Sequence, residues 1–208
     1  MTKQYQTPQE AFWAGDFGIQ YIERNKSVDY LASNLNFFSA IFKNISKPQS
    51  LIEFGANVGM NLKAIKLLFP AIKLYGIEIN EQAATELSSF LGTENVFNNS
   101  IFDYKPNAPF EVALIKGVLI HIQPEMLPLV YDKLYESSSK YILICEYYNP
   151  TPISVAYRGH QERLFKRDFA GEMLDRFPDL TLLNYGFCYR RDPAFPQDDV
   201  TWFLLQKK

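Results

Sequence analysis

Two cysteines and two histidines are all that 208 residues supply of those types, too few and too scattered for a metal cluster or a disulfide framework. Cys145 and Cys188 each lie in an apolar, strand-like segment, so both read as packed thiols of a protein kept in a reducing compartment. Charge of one sign is lacking as well: 21 basic side chains against 23 acidic ones leave a net charge of −2. That balance speaks against a protein that grips duplex nucleic acid by its phosphates, and leaves room for a small anionic ligand. No hydrophobic run approaches the length of a membrane span. The opening MTKQYQTPQEAFW has neither the apolar stretch of a secretory signal nor the basic amphipathic character of a transit peptide. A cytoplasmic location is the expectation. No low-complexity tract or internal repeat is present, and 47% apolar residues suffice for one substantial core, so residues 1–208 are expected to form a single domain.

From about residue 50 onward, segments rich in β-branched and aromatic residues alternate with segments of helical period, the pattern of a parallel sheet covered on both faces. Strands are predicted at 50–54, 73–78, 95–98, 111–116 and 140–147, with helices at 58–69, 81–91 and 124–136. An irregular piece over 149–159 and a charged helix over 162–176 follow. Two strand-like runs, 180–189 and 200–206, close the chain. The short loop RRDPAFPQDD between them can join only antiparallel neighbours. Ahead of the sheet, residues 7–45 read as two or three helices in which Phe12, Trp13, Phe17, Tyr21 and Ile22 recur near helical spacing. Either this stripe packs on the sheet, or part of it covers a site.

The stretch IEFGANVGMN, residues 52–61, runs from an apolar strand into glycines at 55 and 59 and then into a helix. A dinucleotide-binding turn would need glycine at 57 and 60, where Asn57 and Met60 stand, and no Gly-Lys-Ser/Thr follows to make a phosphate-cradling loop. Glu-x-Gly-x-Asn-x-Gly instead resembles the glycine turn of class I S-adenosylmethionine-dependent methyltransferases. The resemblance implies a Rossmann-like α/β fold: a doubly wound, mostly parallel sheet of seven strands with a C-terminal antiparallel hairpin. It also implies an N-terminal helical lid or extension over 1–47 and a core over 48–208.

In the same resemblance Gly55, Ala56, Asn57, Gly59 and Asn61 lie along S-adenosylmethionine, and Glu53 faces its ammonium. Glu78, at the end of LYGIEI, accepts the ribose hydroxyls with Ile79 beside it, an arrangement that would repel a 2′-phosphate and so disfavours NADP more than NAD. Asn99, Ser100 and Ile101 frame the adenine, although the family commonly has aspartate where Ser100 stands, and Asp103 comes later. Lys116, Gly117 and Val118 line the cofactor, while Tyr21 and Arg24 close over it.

Beyond the fifth strand, Arg158, His160, Arg163, Lys166 and Arg167 crowd together. They read either as a site for carboxylate or phosphate or as a solvated helix face balanced by Glu162, Asp168 and Glu172. The motifs FWAGDFGIQYIERN, EFGANVGMNLKAI, KGVLIHI and EYYNPTPISVAYRGHQERLFKRDFAGEM together resemble the methylases associated with pseudaminic acid biosynthesis, over nearly the whole chain. The resemblance implies methyl transfer to a nonulosonic acid, its activated form or a related sugar intermediate. Tyr147, Tyr148, Asn149, Arg158 and Lys166 are then the substrate-side candidates. His121 and His160 are the candidate bases, a role that contributes roughly 10²–10⁴-fold beside the on the order of 7–11 kcal/mol available from alignment. The rival readings are a binding module of the same fold without turnover, and a methyltransferase for another small molecule or a protein.

Overall fold

The computed structural model describes residues 5–22, 27–157 and 160–208, with the side chains of 157 and 160–163 outside the description. Three helices come first, α1 (Pro8–Ala14), α2 (Asp16–Ile22) and α3 (Val28–Phe42). α1 begins where TPQE forms a capping box: Thr7 Oγ1 accepts from the Glu10 N–H at 3.2 Å, and Glu10 Oε2 accepts from the Thr7 N–H at 2.9 Å. Strands and helices then alternate as β1 (Ser50–Phe54), α4 (Met60–Leu68), β2 (Lys73–Ile77), α5 (Glu81–Leu91), β3 (Val96–Phe97), β4 (Phe110–Lys116), α6 (Leu127–Glu136) and β5 (Ser138–Glu146).

The chain continues through β6 (Ile153–Tyr157), β7 (His160–Lys166), α7 (Phe169–Arg176), β8 (Leu180–Cys188) and β9 (Val200–Lys207). Seven strands form one sheet in the order β3-β2-β1-β4-β5-β9-β8. Pairing is parallel as far as β5, and β9 runs antiparallel to both its neighbours. This is the Rossmann-like arrangement expected from the sequence, with its C-terminal hairpin. Chain order reverses between β1 and β4, so the carboxyl ends of β1, β2 and β4 border the crevice where open α/β sheets take ligands.

Both faces of the sheet are covered, which is why the central strands are apolar at nearly every position. Ile52, Phe54, Ala113, Ile115, Ile142 and Ile144 pack with Val130 and Leu134 of α6 and with Ala170 and Met173 of α7. Leu51, Val112, Leu114, Leu143 and Cys145 pack on the other face with Phe38 and Ile41 of α3 and with Leu62 and Ile65 of α4. Among the described residues no helix is long and apolar enough to cross a membrane.

One expected stretch is different. The piece over 149–159 and the first half of the charged helix over 162–176 form a separate two-stranded sheet, in which Ile153, Ser154 and Val155 pair with Lys166, Phe165 and Leu164. The helix starts only at Phe169, because Asp168 caps it by accepting from the Gly171 N–H at 2.8 Å. Leu164 belongs to the buried core and pairs with Val155 of β6, so the charged residues around it belong to a strand and not to a helix.

Asn80 joins the helical extension to the sheet. Its Oδ1 accepts from the Ala83 N–H at 3.1 Å and caps α5, while its Nδ2 donates to the carbonyls of Trp13 at 3.3 Å and Ala14 at 3.2 Å. Replacing Asn80 with Ala should cost about 1–2 kcal/mol in urea unfolding through loss of the cap alone. Asn80→Asp should restore the cap yet leave α1 untied, an outcome read as normal global stability with faster amide exchange in α1.

Candidate active site

The turn after β1 is set by backbone geometry. Gly55 has φ of 75°, and the N–H groups of Gly55 and Ala56 both donate to the Ile77 carbonyl, at 2.9 and 3.0 Å, stitching the turn to β2. A Cβ on Gly55 would stand 2.5 Å from Cγ2 of Val118 in the turn after β4, so the two turns meet face to face and only glycine fits. Asn57, with φ of 48°, is the one positive-φ residue other than glycine among the described residues. Its N–H donates to Glu78 Oε2 at 2.8 Å, while the Asn80 N–H donates to Glu78 Oε1 at 2.8 Å. Glu78 is thereby fixed at the end of β2 by backbone donors from both sides.

These turns border a cavity of about 410 Å³. Of the residues predicted to hold the cofactor, Tyr21, Gly55, Ala56, Asn57, Asn61, Glu78, Ile79, Ser100, Ile101, Lys116, Gly117 and Val118 line it. Three others do not. Glu53 is fully buried behind the turn, where its Oε1 accepts from Asn61 Nδ2 at 2.6 Å, so any influence on the cavity passes through Asn61. Gly59 faces α5, where a Cβ would meet Leu87 Cδ1 at 2.6 Å. Asn99 is drawn into a tight turn by its N–H, which donates to the Phe97 carbonyl at 2.9 Å. Arg24 lies outside the described residues.

On the side toward β5, His121 lines the cavity at 7% exposure. It ends a 3-10 turn (Leu119–His121), and its ring centre is 4.8 Å from that of Trp13, which covers it from α1. Tyr147 also lines the cavity, with Lys166 Nζ 5.3 Å above its ring. Tyr148 is 40% exposed and packs on Phe203, with ring centres 5.9 Å apart, and the Asn149 N–H donates to the Arg167 carbonyl at 3.3 Å. Tyr148, Asn149 and Lys166 therefore stand at the base of the β6–β7 hairpin and not in the cavity wall. Arg167 pairs with Glu172 at 2.7 Å. Arg158 and the side chain of His160 lie outside the described residues.

Glu146, at the end of β5, was not among the predicted residues. It is 2% exposed, lines the cavity, and its Oε1 accepts from the N–H groups of Val118 and Leu119, each at 2.9 Å. The signal was present as a lone acid closing the apolar run YILICE at the sheet's carboxyl edge. Tyr30, whose hydroxyl accepts from Lys116 Nζ at 3.3 Å, is a second residue absent from the prediction.

Buried acceptors lie in the wall and behind it. Glu53 Oε2, Asn57 Oδ1, Asn61 Oδ1 and Glu146 Oε2 are buried and have no hydrogen-bond donor among the described residues. Burial pushes Glu53 up to about 8, against the lowering influence of Asn61 and Lys116. It raises Glu78 too, against the N–H groups of Asn80 and Asn57. Glu146 is pushed up to about 7 by burial, which outweighs the N–H groups of Val118 and Leu119.

In each case the folded state holds a proton that the unfolded chain has already released, so stability is greatest below the unfolded value of 4.5 and declines as pH rises toward 7 and 8. Denaturant unfolding of the ligand-free protein should therefore show a loss on the order of a few kcal/mol between about pH 5 and pH 8. Replacing Glu53 with Gln should flatten the upper part of that decline.

No family model and no curated protein matches the sequence. Solved structures do match the fold. The 1,6-didemethyltoxoflavin-N1-methyltransferase of Burkholderia thailandensis, with bound 1,6-didemethyltoxoflavin and S-adenosylhomocysteine, is similar at a TM-score of 0.74 and 14% identity, over 100% of this chain and 93% of that one. Magnesium protoporphyrin IX methyltransferase of Synechocystis PCC 6803, with bound S-adenosylmethionine, is similar at 0.65 and 12% identity, over 99% and 100% of the two chains. An S-adenosylmethionine-dependent methyltransferase of Clostridium acetobutylicum is similar at 0.63 and 10% identity, over 92% and 97%. The fold of this chain is that of the class I S-adenosylmethionine-dependent methyltransferases.

Proposed function

We propose that this chain is an S-adenosylmethionine-dependent methyltransferase that acts on a small molecule, with a nonulosonic-type sugar acid as acceptor. The observation that carries the first part is Glu78, a carboxylate held by the N–H groups of Asn57 and Asn80 beside the Gly55 turn. Each of its oxygens keeps a lone pair for a ribose hydroxyl. The three cavity-lining acceptors that lack donors among the described residues, Asn57 Oδ1, Asn61 Oδ1 and Glu146 Oε2, suit the same ligand, whose ammonium, hydroxyls and adenine amine are donors. Gly55, Asn57 and Glu78 would hold its ribose side and Ser100 and Ile101 its base. Asn61, backed by Glu53, would meet the amino acid end. When bound, S-adenosylmethionine supplies an electrophilic methyl group on a sulfonium.

The acceptor side belongs to residues nearer β5. His121, enclosed by Trp13, is the candidate to take a proton from an acceptor hydroxyl. Tyr147 lines the cavity, and Lys166 places a cation over the ring of Tyr147, which suits a carboxylate. Among the described residues Lys166 forms no ion pair, whereas Arg167 is engaged by Glu172. The sequence resemblance and this cation support a sugar acid.

Calorimetry with S-adenosylmethionine and S-adenosylhomocysteine should give binding that Glu78→Ala weakens by roughly 10–100-fold, the loss of one or two charge-assisted hydrogen bonds. Methyl transfer to a panel of nonulosonic acids, followed by mass spectrometry, tests the acceptor. Lys166→Ala should raise KM for the sugar acid without changing the affinity for S-adenosylhomocysteine. Binding without turnover on every acid would overturn the acceptor assignment, and an absence of binding would overturn the cofactor assignment.

A further inference from the structure

Glu146 does two things at once. It ends β5 in the wall of the cavity, and it reaches across to β4 to hold the N–H groups of Val118 and Leu119 on one oxygen. What it holds is a short turn. Gly117 has φ of 69° with nothing within 4 Å of where a Cβ would stand, and its N–H donates to the Cys145 carbonyl at 3.0 Å. The turn then closes on itself through the His121 N–H, which donates to the Val118 carbonyl at 2.9 Å. The side chain of Val118 presses on the Gly55 turn from the other side. A shift of the Val118 backbone therefore moves the contact with Gly55 and the His121 end of the turn together.

We propose that Glu146 is a positioning residue: its ionised carboxylate clasps residues 117–121 in the form that walls the cavity, and protonation loosens that clasp, so ligand affinity at the cavity rises with pH across the neutral range. The affinity half of this proposal rests on the reading that the cavity takes an adenosyl ligand. The physical basis is that N–H bonds to a charged acceptor are about twice as strong as those to a neutral one. Both bonds fall on Oε1, while Oε2 is buried without a donor among the described residues. The charged and titratable groups around the carboxyl are Lys116 from β4, Tyr131 from α6 and its chain neighbour Cys145. Tyr131 and Cys145 are both raised by burial and stay neutral at these pH values. Lys116 opposes the upward push on Glu146 that burial imposes, so the carboxyl titrates within reach of neutral pH.

The test is made on the full-length, ¹⁵N-labelled protein without ligand, as wild type and as Glu146→Gln, which preserves shape and removes the ionisation. The amide proton signals of Val118 and Leu119 are followed from about pH 5.5 to about pH 8.5, and affinity for S-adenosylhomocysteine is measured near each end of that range. In the wild type both amides should titrate together near neutrality, and affinity should be roughly tenfold higher at the upper end, the effect of a shift of one pKa unit. In the variant the amides should stay still, and the affinity gradient should shrink to the part that Glu53 and Glu78 contribute. Amides that do not move, that move equally in the variant, or affinity gradients identical in the two proteins would overturn the proposal. A wild type that binds no S-adenosylhomocysteine at either pH would overturn the adenosyl reading and the affinity half with it, while the amide titration would still decide the clasp. Should the variant not fold, the two wild-type amides decide alone, since Glu146 is the only carboxylate bonded to them among the described residues.

Discussion

The contact between Gly55 and Val118 is the constraint on which the cavity depends. Two turns, one after β1 and one after β4, approach so closely that a single extra carbon at position 55 would overlap a valine methyl. Because the strands below them are paired in register, Phe54 with Ile115, neither turn can retreat without disturbing the sheet. The cavity is therefore the space left when two rigid hairpin-like turns lean together, and its walls inherit the stiffness of the parallel core beneath.

Around that contact, carboxyl groups are placed behind or within the wall, where burial raises their affinity for a proton. Glu53 and Glu146 keep their donors on one oxygen and Glu78 has a backbone donor on each, and all three have a raised proton affinity. Such groups are costly to hold in a fold, and their clustering at the carboxyl edge of one sheet marks a place shaped for a ligand more than for stability.

Much of this was legible in the chain. The strand and helix alternation, the hairpin from 180 onward and the cavity-lining place of Glu78 follow from periodicity, loop length and the position of an acid at a strand end. What escaped notice did so for identifiable reasons. The β6–β7 hairpin carries charges that imitate a helix face, and only pairing with a partner strand reveals its period of two. Glu146 is hidden because its work is done for residues 118 and 119, far away in sequence, and long-range bonds leave no local pattern. Glu53 carries the opposite lesson: its place in the motif was evident, yet the strand's alternation turns its side chain toward α3 and α4, beneath the cavity floor.

The bonds from Asn80 to the carbonyls of Trp13 and Ala14 give the helical cover an unusual kind of hinge. A cover held by side-chain packing alone can slide, but one fastened through directional bonds to a helix cap has to let go as a unit. The same asparagine supplies the N–H that holds Glu78, so the position of α1 and the position of that carboxylate are both fixed by one residue. The beginning of α5 thus anchors both the helical cover and the cavity wall.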